Sequence, residues 1–193
     1  MPDTHAPAAV RRPSTMPTGL NHLVLNVRDI EESHRFWTEI VGLEQVGALT
    51  PRPERPDPPK MRFYSVDHGN GKRSHHDVAL LEVPGLPAPE EEAPCAIAHV
   101  AIAYPTREAW LERIAWVQAC GVKFGRRIEH GMTHSLYIRD PNGYGVELLY
   151  ELPRAMWEGD IDAALNYIRS LPTEGPAALE DNPAESPVFG AKR

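Results

Sequence analysis

The chain has 193 residues, 41% of them hydrophobic, with 27 Asp and Glu against 20 Lys and Arg and a formal net charge of −7. That length suffices for one compact domain or two small modules with a real core, and the acidic balance argues against a nucleic-acid partner. No apolar run approaches membrane-spanning length, no secretory signal pattern is present, and Cys95 and Cys120, without CxxC spacing, read as free thiols of a cytoplasmic protein.

Residues 1–18, rich in proline and carrying Arg11 and Arg12, read as a disordered arm. A first module is expected over 19–84. Its opening strand ends at Val27, Asp29 caps a helix over 30–41 with Ile30, Trp37 and Val41 on one face, and Gly42 stops it. A strand over 43–49 precedes a proline-rich insertion at 51–59, which cannot sit inside a sheet. Strands at 61–66 and 77–83 flank the turn His68-Gly69-Asn70-Gly71.

Residues 85–95 form a linker rich in Pro and Glu, with Glu90-Glu91-Glu92 a solvated run. The order then repeats over 96–152. A strand at 97–104 is followed by a helix over 106–120, capped by Thr106, with Trp110, Leu111, Ile114 and Val117 as its apolar face and Gly121 as its stop. Strands follow at 122–128, 135–138 and 145–150, with Asp140 and Asn142 as residues of the turn between the last two. Trp37, Trp110 and Trp116 are expected in the core. Over 153–193, residues 161–171 suggest a helix and the remainder a flexible tail. The fold class is therefore α+β, two paired β-α-β-β-β modules, each with a sheet face that neither buries alone. Curling the sheets around a shared cavity, as a cup-shaped, partly open β-barrel, is the economical solution.

The repeat carries chemistry. Asn21-His22-Leu23-Val24-Leu25 is echoed by Ala98-His99-Val100-Ala101-Ile102, and Val78-Ala79-Leu80-Leu81 by Val146-Glu147-Leu148-Leu149. His22, His99 and Glu147 thus occupy equivalent slots, while the fourth slot holds Ala79. Two histidines and one carboxylate, with open coordination positions, are the ligand set of a non-haem Fe(II) oxygenase. Alone, His22 or His99 would read as a core histidine satisfied by hydrogen bonds. As a set with Glu147, whose burial without a partner or metal would be costly, the metal reading prevails.

The pattern over residues 19–151 resembles the vicinal oxygen chelate superfamily of glyoxalases, bleomycin-resistance proteins and extradiol dioxygenases. Its finer motifs resemble the type I extradiol (catechol-type) ring-cleaving enzymes. That resemblance implies metal ligands at His22, His99 and Glu147. It implies an acid/base histidine at His76, within Ser74-His75-His76-Asp77-Val78-Ala79-Leu80, and a catalytic tyrosine at Tyr137, ten residues before Glu147 in Tyr137-Ile138-Arg139-Asp140-Pro141-Asn142-Gly143. A further site histidine falls on His130 of the pair His130-Gly131, with His134 as its competitor. The larger members carry an additional pair of modules that is absent here. The implied reaction inserts both atoms of O2 into a small catecholic diol at Fe(II), with Mn(II) as the alternative ion, in a protein without membrane or nucleic-acid partners, and leaves a homo-oligomer open. Two rivals stand beside it: a glyoxalase-type isomerase or lyase, against which Ala79 speaks, and a non-catalytic bleomycin-resistance-like binder, against which His76 and Tyr137 speak.

Overall fold

A computed structural model describes residues 19–69, 71–90 and 95–190. The expected N-terminal arm, Asn70 of the turn and residues 91–94 of the linker lie outside the described residues. The first module runs β1 (Leu23–Val27), α1 (Ile30–Arg35) with one π turn (Phe36–Ile40), β2 (Glu44–Ala48), β3 (Met61–Ser65) and β4 (Val78–Glu82). The second runs β5 (Val100–Ala103), α2 (Arg107–Ala119), β6 (Arg126–His130), β7 (Thr133–Arg139) and β8 (Gly145–Glu151). The sheets are ordered β1-β4-β3-β2 and β5-β8-β7-β6, the second extended by one more strand. In each, the first strand lies parallel to the last. The fold is the expected α+β pair of modules, as two open sheets of four and five strands.

Local chemistry sets the helix ends. The Asp29 carboxylate accepts from the amides of Glu31 and Glu32, both at 2.8 Å, and Thr106 Oγ1 accepts from the Ala109 amide at 3.1 Å. Gly42 closes the first helix with φ +90°, a conformation that favours glycine. Ile30, Trp37 and Val41 are buried, as are Trp110, Ile114 and Val117, so one continuous core lies between the helices and the sheets. Burying each large side chain stabilises by roughly 1.5–3 kcal/mol. Trp116 departs from expectation. It is 51% exposed, and its indole donates to the Glu39 carbonyl at 2.8 Å.

The hydrogen bonds that join the modules run along the helices and the turn after β7. Arg113 donates to the carbonyls of Glu39 and Ile40, and Tyr104 donates to Val41 O at 2.7 Å. The Arg28 amide donates to Asn142 Oδ1 at 2.9 Å, and Asn142 Nδ2 to Ser33 Oγ at 2.9 Å. Asn142 is therefore a turn residue, as expected, and also a bridge between modules.

The C-terminal segment differs from the sequence expectation. The helix stops at α3 (Ile161–Asn166), and β9 (Ile168–Leu171) pairs antiparallel with β6 as the fifth strand of the second sheet. Nor is the rest a loose tail: two 3-10 turns (Pro176–Leu179, Pro183–Glu185) punctuate it, and Ala178, Ser186 and the Asp181 side chain are buried. Buried Arg127 donates to the carbonyls of Ala177 and Glu180 at 3.1 and 3.0 Å. Asp181 accepts from Tyr150 OH at 2.7 Å and from Arg107 Nε at 3.0 Å. Most polar groups removed from water here have partners, the exceptions being Arg127 Nε and Glu129 Oε1. Among the described residues no helix is long and apolar enough to cross a membrane, and both cysteines are free thiols.

Candidate functional site

Strand alternation decides which side chains face away from the core. In β1, Leu25 and Val27 point to the helices, leaving His22, Val24 and Asn26 on the open face, where Val24 is 40% exposed. In β5, Ile102 points inward and His99, Ala101 and Ala103 outward. The registers repeat residue for residue: Leu23 pairs with Val78 and Val24 with Ala79, as Val100 pairs with Val146 and Ala101 with Glu147. Ala79 therefore sits in the slot that Glu147 fills in the second sheet.

Around Glu147 a chain of polar contacts is built. His99 Nε2 lies 3.0 Å from Glu147 Oε2, with His99 42% and Glu147 8% exposed. The Tyr137 hydroxyl donates to Glu147 Oε1 at 2.7 Å, because Tyr137 and Glu147 are cross-strand partners of β7 and β8. His130 Nε2 is 3.0 Å from the same hydroxyl. With the tyrosine proton directed at Glu147, Nε2 is the donor in that contact. Burial, reinforced by the hydrogen bond and charge of Glu147, pushes the Tyr137 hydroxyl well above its ordinary pKa, so it stays protonated.

The first sheet carries a separate imidazole cluster. The His22 and His76 rings are 4.4 Å apart between centroids, Phe63 packs on the edge of His76, and His75 Nδ1 lies 2.8 Å from His76 Nδ1. Desolvation, then the neighbouring His22 and His75, lowers the pKa of His76 below the ordinary imidazole value. His76 is consequently neutral near pH 7, with its Nε2 free of that contact.

The structure thus brings His99, Glu147, Tyr137 and His130 together, and His22 with His76, but not the two sets with each other. Among the described residues no three His, Cys, Asp or Glu side chains are grouped to hold a metal ion. The expected convergence of His22 on His99 and Glu147 inside one chain is not found. The joining contacts use the helices and the Asp140 turn and leave both sheet faces open. The 3.0 Å separation of His99 Nε2 and Glu147 Oε2 suits two ligands about 2.1 Å from one ion at right angles. His134, the competitor of His130, lies on the opposite side of the sheet: it is buried, with Nδ1 at 2.6 Å from Asp181 and Nε2 at 2.9 Å from Ser186 Oγ.

A cleft of about 780 Å³ opens beside this polar chain, lined by His99, Tyr137, Lys123, Arg126 and Arg139 and bordered by Pro89 and Glu90. The Arg126 guanidinium stands 4.8 Å from the centroid of the Tyr137 ring. The sequence reading missed Arg126. Its signal lay in register, opposite Tyr137 on the neighbouring strand, which residue spacing alone does not reveal.

Comparison with known proteins agrees with the fold. Residues 19–148 match the model of the Glyoxalase/Bleomycin resistance protein/Dioxygenase superfamily, and the chain belongs to that family. It is 30% identical over 135 residues to biphenyl-2,3-diol 1,2-dioxygenase 3 of Rhodococcus globerulus, covering 69% of this chain and 64% of that protein. It is 24% identical to catechol-2,3-dioxygenase of Bacillus subtilis, over 78% of this chain and 47% of that one. A lactoylglutathione lyase of Pseudomonas putida is 26% identical, over 73% and 90%. The chain spans about half to two thirds of the length of the two dioxygenases. Among solved structures, a glyoxalase/dioxygenase from Nostoc punctiforme shares the fold with a TM-score of 0.55 at 18% identity, covering 77% of this chain and all of that one.

Proposed function

We propose that this protein is an extradiol ring-cleaving dioxygenase that inserts both atoms of O2 into a catecholic diol. Its metal would be Fe(II), with Mn(II) the alternative, held by His99 and Glu147 of one chain and closed by His22 of a second copy. The carrying observation is the chain His130–Tyr137–Glu147–His99, a protonated hydroxyl beside an imidazole nitrogen and a carboxylate oxygen 3.0 Å apart at the edge of an open cleft. The 30% identity to a biphenyl-diol dioxygenase supports the same reading.

An Fe(II) ion bound there would supply open positions for a chelating diol and for O2. The remaining work falls to the chain. Tyr137, kept protonated with its proton on Glu147, accepts a hydrogen bond from a diol hydroxyl through its remaining lone pair, while His130 donates to the tyrosine oxygen. His76, arriving with His22 on the facing sheet, takes the proton of the diol hydroxyl at Nε2. Such groups contribute typically 10²–10⁴-fold each. The Tyr137 ring and the cleft walls orient the substrate plane.

Anaerobic loading with Fe(II), followed by O2 and a visible-absorbance screen over a panel of catechols, tests the reading. Formation of a yellow ring-opened product supports it, and no product from any diol at full iron loading would contradict it. The hemithioacetal of methylglyoxal and glutathione, offered in parallel, reads out the lyase alternative that the Pseudomonas putida relative represents.

A further inference from the structure

The cleft carries a charge pattern that neither the metal set nor the acid/base groups use. Lys123, Arg126 and Arg139 all line it. None has an ion-pair partner among the described residues, whereas Arg62, Arg73, Arg107, Arg154 and Arg169 each do. Arg126 and Arg139 lie on the same sheet face as Tyr137, the first as its cross-strand partner and the second two residues along β7. Arg139 spends one nitrogen on the Gly143 carbonyl at 2.9 Å.

Two acids also line the cleft. Asp140 is buried and committed to its own turn, accepting from the amides of Asn142 and Tyr144 at 2.8 and 2.9 Å. Burial moreover raises its pKa. Glu90 stands at the border, exposed. The wall beside Tyr137 is thus cationic in a chain of net charge −7, and its volume falls in the roughly 300–1,000 Å³ range of pockets for ligands larger than a bare catechol.

We propose that Arg126, assisted by Arg139 and Lys123, is a specificity-determining subsite for a carboxylate carried on the ring of the diol. The proposal rests on the dioxygenase reading for the diol end, and it names the substrate class as catechols bearing a short acid side chain. Guanidinium geometry matches a planar carboxylate in two parallel hydrogen bonds. With Arg126 over the Tyr137 ring and the tyrosine hydroxyl at the diol, the two anchors grip opposite ends of one substituted benzene ring. A neutral diol of the same size would leave the cations unpaired and gain only the contact of its ring.

The test compares 3,4-dihydroxyphenylacetate with 4-ethylcatechol on the full-length, Fe(II)-loaded protein. Two readouts are taken: Kd by anaerobic titration calorimetry, and kcat/KM after O2 is added. The acid is expected to bind roughly tenfold or more tightly than the neutral diol at low salt, with an advantage that shrinks as ionic strength rises. In R126A the acid-to-neutral ratio should fall toward unity through KM. R126K should keep part of it, because the charge remains while the fork is lost. R139A and K123A should give smaller losses. A wild-type ratio at or below one, or a ratio unchanged in R126A, R139A and K123A alike, would overturn the subsite. If neither diol is cleaved but the Kd ratio holds and falls in R126A, the subsite stands and the ring-cleavage reading fails. If both are cleaved at equal kcat/KM and bound equally, ring cleavage stands and the subsite falls.

Discussion

His99 Nε2 and Glu147 Oε2 stand 3.0 Å apart across the parallel pairing of β5 and β8, and the Tyr137 hydroxyl occupies the other carboxylate oxygen. One carboxylate oxygen thereby meets His99 and the other Tyr137, and in the proposed site the first would be the metal ligand. Glu147→Gln keeps an acceptor for Tyr137 but loses the charge. It should cost iron affinity at least the roughly 10–100-fold that loss of an outer-shell partner costs. Iron per chain after anaerobic loading and desalting, measured by elemental analysis, reads this directly; retention equal to the parent would show that Glu147 is not a ligand.

The separation of His22 from this pair leads to a complementation experiment. His22→Ala and Glu147→Ala should each retain little iron. Co-expressed and purified as a mixture, they should recover about one quarter of the parental sites. In a two-fold dimer half of the pairs are mixed, and each mixed pair holds one intact composite site. Recovery of iron in the mixture supports closure by a second copy. No recovery, with the parent fully loaded, would place all three ligands within a single chain.

His76→Phe should leave iron bound and slow the oxygen-dependent step by roughly 10²–10⁴-fold, the cost of losing a general acid/base. Tyr137→Phe should act in the same direction and also weaken diol binding, since the proposed site sets its hydroxyl against the diol. Single-turnover kinetics on the anaerobic complex, with O2 added last, separate the two effects. A parental rate in the His76 variant would move the role to His75 or His130.

Asp181 pins the C-terminal segment through His134, Tyr150 and Arg107, with its side chain fully buried. Removing it in Asp181→Ala leaves Arg127 and His134 without their buried anion and should cost about 3–5 kcal/mol, measurable by urea denaturation. Burial alone would raise the Asp181 pKa, but the hydrogen bonds from His134 and Tyr150 and the nearby charges outweigh it, so the folded value lies below the ordinary 3.8. Its stabilisation is therefore full above pH 3.8 and lost as the pH falls through the lowered value. The parent should release the tail to limited proteolysis in that acidic window, and the variant already at neutral pH.

Much of the architecture was legible because it is periodic and local. The alternation around His22 and His99, the caps at Asp29 and Thr106, and the slot shared by Ala79 and Glu147 can all be read from spacing. What was not legible depends on long-range packing. Arg113 reaching the Glu39 and Ile40 carbonyls, and Asn142 reaching Ser33, fix how the modules meet, and neither leaves a periodic trace. Arg127 and Glu129 are charged residues of a strand, yet both are buried, Arg127 against the carbonyls of Ala177 and Glu180 and Glu129 against Arg169 of β9, some forty to fifty residues away. The strand at 168–171 is too short and too polar to compete with the helical pattern ahead of it.

Ring cleavage with insertion of both oxygen atoms is read by single turnover under 18O2. The Fe(II)-loaded protein is mixed anaerobically with catechol or 3,4-dihydroxyphenylacetate, labelled oxygen is admitted, and the product is examined by rapid quench and mass spectrometry. The expected product is ring-opened and carries both labelled atoms, with one O2 consumed per diol. A product with one labelled atom or none, or recovery of intact diol beside fully loaded iron, would contradict it.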